Sequence, residues 1–156
     1  MKIEYVVGDA TAPQGEGMKY IVHICNDIGG WGKGFVMAIS KRWKQPALEY
    51  RKWAKELRPA TLPLGQIQFV KVEDNLYVVN MIAQKDTVSE TNPTPIKYDA
   101  LRTALTSIAI AAGNKASVHM PRIGCGLAGG TWGKVEPIVH EELTLRGVPV
   151  TVYDLK

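Results

Sequence analysis

The chain has 156 residues, 46% hydrophobic and 22% charged, which suits one globular domain spanning 1–156 and excludes a disordered tract. Its net charge of +4 favours an anionic ligand, but the basic residues are spread along the chain, so nucleic acid is not implied. No apolar run approaches the ~20 residues of a membrane span, the first eight residues are too short and acidic for a signal peptide, and Cys25 and Cys125 lack metal-ligand or disulfide spacing. The expectation is a cytoplasmic protein with no metal, no cofactor and no membrane contact.

Residues 3–7 and 20–25 are rich in β-formers and bounded by turn residues, so each reads as a strand. Phe35, Ala38, Ile39 and Trp43 then share one helix face, and Pro46 starts a second helix carrying Ala47, Tyr50, Ala54 and Leu57. Pro59 and Pro63 close it. Residues 65–72 and 76–82 are predicted as strands joined in a hairpin at 73–75. The polar stretch 85–95, with two prolines, is a loop. Tyr98, Leu101, Leu105, Ile108 and Ala112 mark a long helix stopped by Gly113-Asn114. A strand at 117–120, a glycine-rich loop, a helix bearing Val135, Ile138, Val139 and Leu143, and a strand at 148–153 complete the chain. Gly147 ends that last helix, and Pro137 must sit in its first turn or kink it. Strands alternating with helices indicate a three-layer α/β/α fold with a mixed central sheet.

Three loops carry the chemistry. Met120-Pro-Arg-Ile-Gly-Cys-Gly-Leu-Ala-Gly-Gly130 places four glycines between a strand and a helix, and Gly29-Gly-Trp-Gly-Lys-Gly34 repeats the arrangement earlier. Glycines there let main-chain N–H groups approach a ligand, and the helix N-terminus adds positive potential, so a phosphate or pyrophosphate is expected. Gly8-Asp9-Ala10-Thr11 follows the first strand. Ligands of such sheets bind beyond the carboxyl ends of the strands, so all three loops are expected at one rim.

Gly124-Cys-Gly126-Leu-Ala-Gly129 matches G-x-G-x-x-G, and Asp154 ends the following strand, as in a Rossmann-type NAD site. Only one strand follows that loop, too few for the rest of a dinucleotide-binding half. The full set of motifs instead resembles the macrodomain family, whose members bind ADP-ribose. The resemblance rests on Gly8-Asp9-Ala10-Thr11, Val22-His-Ile-Cys-Asn26 leading to Gly32-Lys-Gly34, Met120-Pro-Arg-Ile-Gly-Cys-Gly-Leu127, and Thr151-Val-Tyr-Asp-Leu155. Within the family it is most similar to the subgroup of terminal ADP-ribose protein glycohydrolase and the ADP-ribose 1''-phosphate processing proteins.

The resemblance implies roles. Asp9 accepts from the adenine amino group, with the Ala10 N–H beside it; the plain alternative is a turn aspartate. Ile123, Gly124, Cys125, Gly126, Leu127 and Ala128 wrap the diphosphate. Gly32, Lys33, Gly34 and Phe35 form the opposite wall, Lys33 being a contact or simply solvated. Asn26 orients the anomeric centre of the distal ribose, or closes its strand as a turn residue. Asp27 and Gln84 help hold a water, although Asp27 also reads as an exposed loop residue. Tyr153 packs against adenine or belongs to the core. His23, His119 and His140 read as hydrogen-bonded structural histidines, and Cys125 has no neighbouring base to make it a nucleophile.

The chain departs from the subgroup at two places. The catalytic aspartate after Gly-Cys-Gly-Leu is here Ala128, and the partner lysine falls near Ala83 or Gln84, with Lys85 shifted. The resemblance therefore implies a hydrolase working by positioning. It would remove ADP-ribose from ester-linked glutamate or aspartate, or process O-acetyl-ADP-ribose or ADP-ribose 1''-phosphate. A non-catalytic ADP-ribose reader is the alternative. The expected partner is ADP-ribose or ADP-ribosylated protein.

Overall fold

Leu76–Gln84 is apolar at nearly every position, as a strand covered on both faces must be, and it lies inside the six-stranded sheet that organises the chain, next to one edge strand. The computed structural model describes residues 1–156. Its strands are β1 (Glu4–Val7), β2 (Met18–Asn26), β3 (Ile67–Glu73), β4 (Leu76–Gln84), β5 (Ala116–Met120) and β6 (Val150–Asp154), and its helices α1 (Phe35–Arg42), α2 (Gln45–Leu57), α3 (Tyr98–Ala112) and α4 (Trp132–Glu142). The sheet runs β1-β6-β5-β2-β4-β3. All neighbours are parallel except the β3–β4 hairpin, turned at Asn75 with φ 58°. The mixed three-layer arrangement expected from the sequence is the one observed.

Side-chain alternation along β2 sorts the core into two layers. Val22 faces α3 and α4, where Leu101, Leu105, Ile108, Val135 and Val139 pack. Ile21 and Cys25 face α1 and α2, where Ile39, Ala47, Tyr50 and Ala54 pack. No helix is long and apolar enough to cross a membrane.

Two details go beyond the sequence expectation. Pro137 lies inside α4, past its first turn, at an exposed position. After Glu142 the chain makes a 3-10 turn, Thr144–Arg146, before Gly147 stops it at φ 86°.

Because β1, β2, β4, β5 and β6 are parallel, the loops that follow them leave the sheet at one edge. At that edge β4 carries an extra residue, Ala83, opposite β2. Cys25 pairs with Ile82 but Asn26 with Gln84. The bulge brings Asn26 and Gln84 side by side at the end of the two strands.

Candidate functional site

A cleft of about 660 Å³ opens at this edge. One wall is the loop from Gly30 into the start of α1, including Gly32, Lys33, Gly34 and Phe35; the other is the loop after β5, including Ile123, Gly124, Gly126, Leu127 and Ala128. The two glycine loops, ninety residues apart in sequence, thus face one space. Asn26 and Gln84 lie at its floor, and Thr87 and Val88 border it from the loop after β4.

The main chain of both walls is rich in unused donors. No N–H group of residues 122–128 or 31–34 donates a hydrogen bond within the protein, and α1 begins at Phe35 between them. The loop keeps its shape through Gly129 N to Gly126 O at 3.0 Å, Gly130 N to Gly124 O at 2.7 Å and Ile96 N to Ala128 O at 3.0 Å. Gly124 is required by conformation: its φ is 75°, and a Cβ would lie 2.5 Å from Ile96 Cδ1. Gly32 and Gly126 are not. Their φ values are ordinary and a Cβ would meet nothing within 4 Å. At these two cleft positions neither torsion nor packing demands glycine, and the bare main chain is open to close approach from the cleft.

Of the residues lining the cleft, the only ones charged at neutral pH are Lys33 and Arg122; no carboxylate is among them. Arg122, which the sequence reading passed over, is gripped by Asp154 at 2.7 and 2.9 Å and stands 5.2 Å from the Tyr5 ring centroid and 5.4 Å from that of Trp132. Its basic type, two residues ahead of the first glycine of the loop, was the available signal. Trp31 forms part of the floor, its Nε1 donating to Ser40 Oγ at 2.8 Å and its ring meeting His23 edge-on at 5.3 Å.

His23 borders the cleft but is buried, and burial holds its imidazole down to about 4. Its Nε2 lies 2.5 Å from Asn80 Oδ1, an acceptor, so Nε2 carries the proton. The Asn80 amide donates onward to Gln68 Oε1 at 3.0 Å and Pro46 O at 3.3 Å. His119 is likewise buried, depressed to about 4 by burial and then by Lys19, and bonded to Ser117 and Tyr153. These are structural histidines, as the sequence suggested.

Hydrogen bonds decide between the readings that the sequence left open for several site residues. Asn26 is a staple of its own loop. Its Oδ1 accepts from Ile28 N at 3.1 Å, Gly30 N at 2.9 Å and Tyr50 Oη at 2.8 Å, and its Nδ2 donates to Gly30 O at 2.9 Å. One N–H remains for a ligand. Asp27 is not exposed: it is 5% accessible, does not line the cleft, and its Oδ1 accepts Asp86 N at 2.8 Å, which fastens the 85–95 loop. Gln84 lines the cleft with Nε2 tied to Asp86 O at 3.0 Å and Oε1 unpaired. Tyr153 is 3% accessible, and its hydroxyl accepts Gln14 N at 2.8 Å, so it belongs to the core. Cys125 turns its thiol from the cleft toward Ile123 O, and burial raises its pKa. Only its main chain can serve a ligand. Asp9 and Ala10 stand at the same sheet edge but outside the cleft itself, with Asp9 held by Thr11 and Arg42.

The sheet order and the antiparallel β3 differ from the all-parallel 3-2-1-4-5-6 order of a dinucleotide-binding sheet, which removes the Rossmann alternative. No family model matches the sequence. Chromodomain-helicase-DNA-binding protein 1-like of Mus musculus is 33% identical over 97% of this chain, which spans only 17% of that protein's length. ADP-ribose glycohydrolase OARD1 of Bos taurus is 27% identical, covering 99% of this chain and 92% of its own. The solved structure of a macrodomain protein from Streptomyces coelicolor superposes with a TM-score of 0.85 at 52% identity, over 98% of this chain and 99% of that one. With that likeness spanning both chains end to end, this chain belongs to the macrodomain family.

Proposed function

We propose that the cleft binds ADP-ribose, with the diphosphate between the two glycine walls and adenine toward Asp9, and that the protein hydrolyses an ester on the distal ribose. The observation that carries the binding reading is the run of uncommitted main-chain donors at 122–128 facing a wall that also has free N–H groups. Such donors suit a pyrophosphate, and a cleft whose only charges are Lys33 and Arg122 attracts one.

Hydrolysis is supported by likeness to a protein named ADP-ribose glycohydrolase and by the Asn26–Gln84 pair at the floor. With Ala128 in the loop and Asp27 committed elsewhere, no side-chain carboxylate serves as a base there. Gln84 Oε1 and the remaining Asn26 N–H orient a water between the ligand's phosphate and the anomeric carbon. Rate then comes from orientation and from fixed dipoles around the developing charge. The modified side chain leaves as a free glutamate or aspartate carboxylate.

A reader that binds without cleaving is favoured by one observation: Asn26 is largely consumed in holding its own loop. Release of ADP-ribose from glutamate-modified protein separates the two. Turnover above background, slowed by Gln84→Ala with binding retained, supports hydrolysis; tight binding without release makes the protein a reader.

A further inference from the structure

Arg42, the last residue of α1, sends its side chain off the helix to the loop after β1. Its Nε donates to Thr11 Oγ1 at 2.6 Å, and its Nη2 donates to Asp9 Oδ2 at 3.3 Å. Thr11 passes the bonding on: its hydroxyl and main-chain N–H donate to Asp9 Oδ1 at 2.7 and 2.8 Å. Burial works against the charge of Asp9, but the bonds from Thr11 and then Arg42 outweigh it and hold the carboxyl below the ordinary range. The ionised, acceptor-only group is thereby held in one orientation, while its side chain stays 46% exposed.

The position of this carboxylate relative to the cleft follows from the sheet. Val7 pairs with Asp154, and Gly8 N donates to Asp154 O at 2.9 Å. The Asp154 carboxylate grips Arg122, which lines the cleft. Asp9 therefore stands beyond the Arg122 end of the cleft. The helix that carries Arg42 begins with Phe35 and Val36 in the opposite wall, so one short rod joins that wall to the Asp9 loop.

We propose that Arg42 is the positioning residue that makes this site selective for a 6-aminopurine over a 6-oxopurine nucleotide. The inference rests on the reading of Asp9 as the base contact. An acceptor-only carboxylate accepts from an exocyclic amino group and repels a carbonyl oxygen at the same place. Arg42 and Thr11 stop the carboxylate from turning away, which would abolish that difference. Arg42 acts through Asp9 and need not touch the base.

The test is calorimetric titration with ADP-ribose and with its hypoxanthine analogue, inosine diphosphate ribose, for wild type, Arg42→Ala, Arg42→Lys and Asp9→Asn. Wild type should prefer ADP-ribose by about tenfold or more. Arg42→Ala should cut the ratio by about threefold or more, chiefly by weakening ADP-ribose, and Arg42→Lys should restore part of it. Asp9→Asn should bring the ratio close to one. A purely structural role would weaken both ligands alike, so an unchanged ratio in Arg42→Ala overturns the inference. If Arg42→Ala fails to fold, Arg42→Lys and Arg42→Gln decide on the same ratio, and wild-type selectivity in both overturns it. Wild type binding ADP-ribose with no preference defeats this inference alone; wild type binding neither ligand defeats the functional reading beneath it.

Discussion

Asn26 and Gly30 clasp each other from both sides: Gly30 N donates to Asn26 Oδ1 and Asn26 Nδ2 donates to Gly30 O, each at 2.9 Å. A Cβ at position 30 would lie 2.9 Å from that Nδ2, so the tight approach needs glycine. The clasp folds the chain back at the end of β2 and hands it to the wall at Gly32–Phe35. Tyr50 Oη locks the arrangement by bonding Asn26 Oδ1 and Asn26 O.

Asn26→Ala should accordingly register as a stability change. Losing these buried bonds costs about 2–3 kcal/mol, visible as a lower urea midpoint. Gln84→Ala should leave that midpoint nearly unchanged and slow ADP-ribose release instead. Equal midpoints for the two variants would remove the staple role from Asn26.

The glycines separate fold from binding. Gly124→Ala forces a side chain into a left-handed conformation against Ile96 and should cost about 1–3 kcal/mol. Gly126→Val meets open space at an ordinary φ, so its stability should stay within about 0.5 kcal/mol of wild type. Its affinity for ADP-ribose should nonetheless fall about tenfold or more, read by titration. Full affinity in a stable Gly126→Val protein would mean that the diphosphate does not approach this loop.

ADP-ribose should raise the melting temperature by binding only the folded chain. Asp9→Ala should remove most of that rise. An undiminished rise would move the base away from Asp9.

His23 sets a pH dependence. Folding holds its imidazole at about 4, against 6.5 in the unfolded chain. Between these values the unfolded state takes up a proton that the folded state refuses. Stability is therefore complete above about pH 6.5 and declines as the pH falls toward 4, by at most about 1.4 kcal/mol per pH unit for this group. His119 adds a slope of the same sign. Melting temperatures from pH 7 to 4.5 should fall, and His23→Asn should flatten the curve even though it starts lower. An equally steep curve in that variant would assign the slope to other groups.

Most of the architecture was legible in residue order because its signals are local. Alternation and 3.6-residue spacing placed every strand and helix within a few residues, and four glycines between 124 and 130 announced a loop with an open main chain. The place of Pro137 stayed open between a first turn and a kink because the start of its helix is not written in the local pattern; the structure puts it past the first turn of α4, at an exposed position.

Residue type alone determined which side chains are capable of chemistry at the rim: a carboxamide at 26, a carboxylate at 9, glycines at 32 and 126. Which of them are free was decided only by tertiary contacts. A hydrogen-bonding group serves either its own protein or a ligand at any given lone pair or proton, and its partners come from distant segments: Tyr50 for Asn26, Asp86 for Asp27, Gln14 for Tyr153, Arg42 for Asp9. Folding brought those partners into place, withdrew Asp27 and Tyr153 from the site, and left the amides of 122–128 without a protein partner.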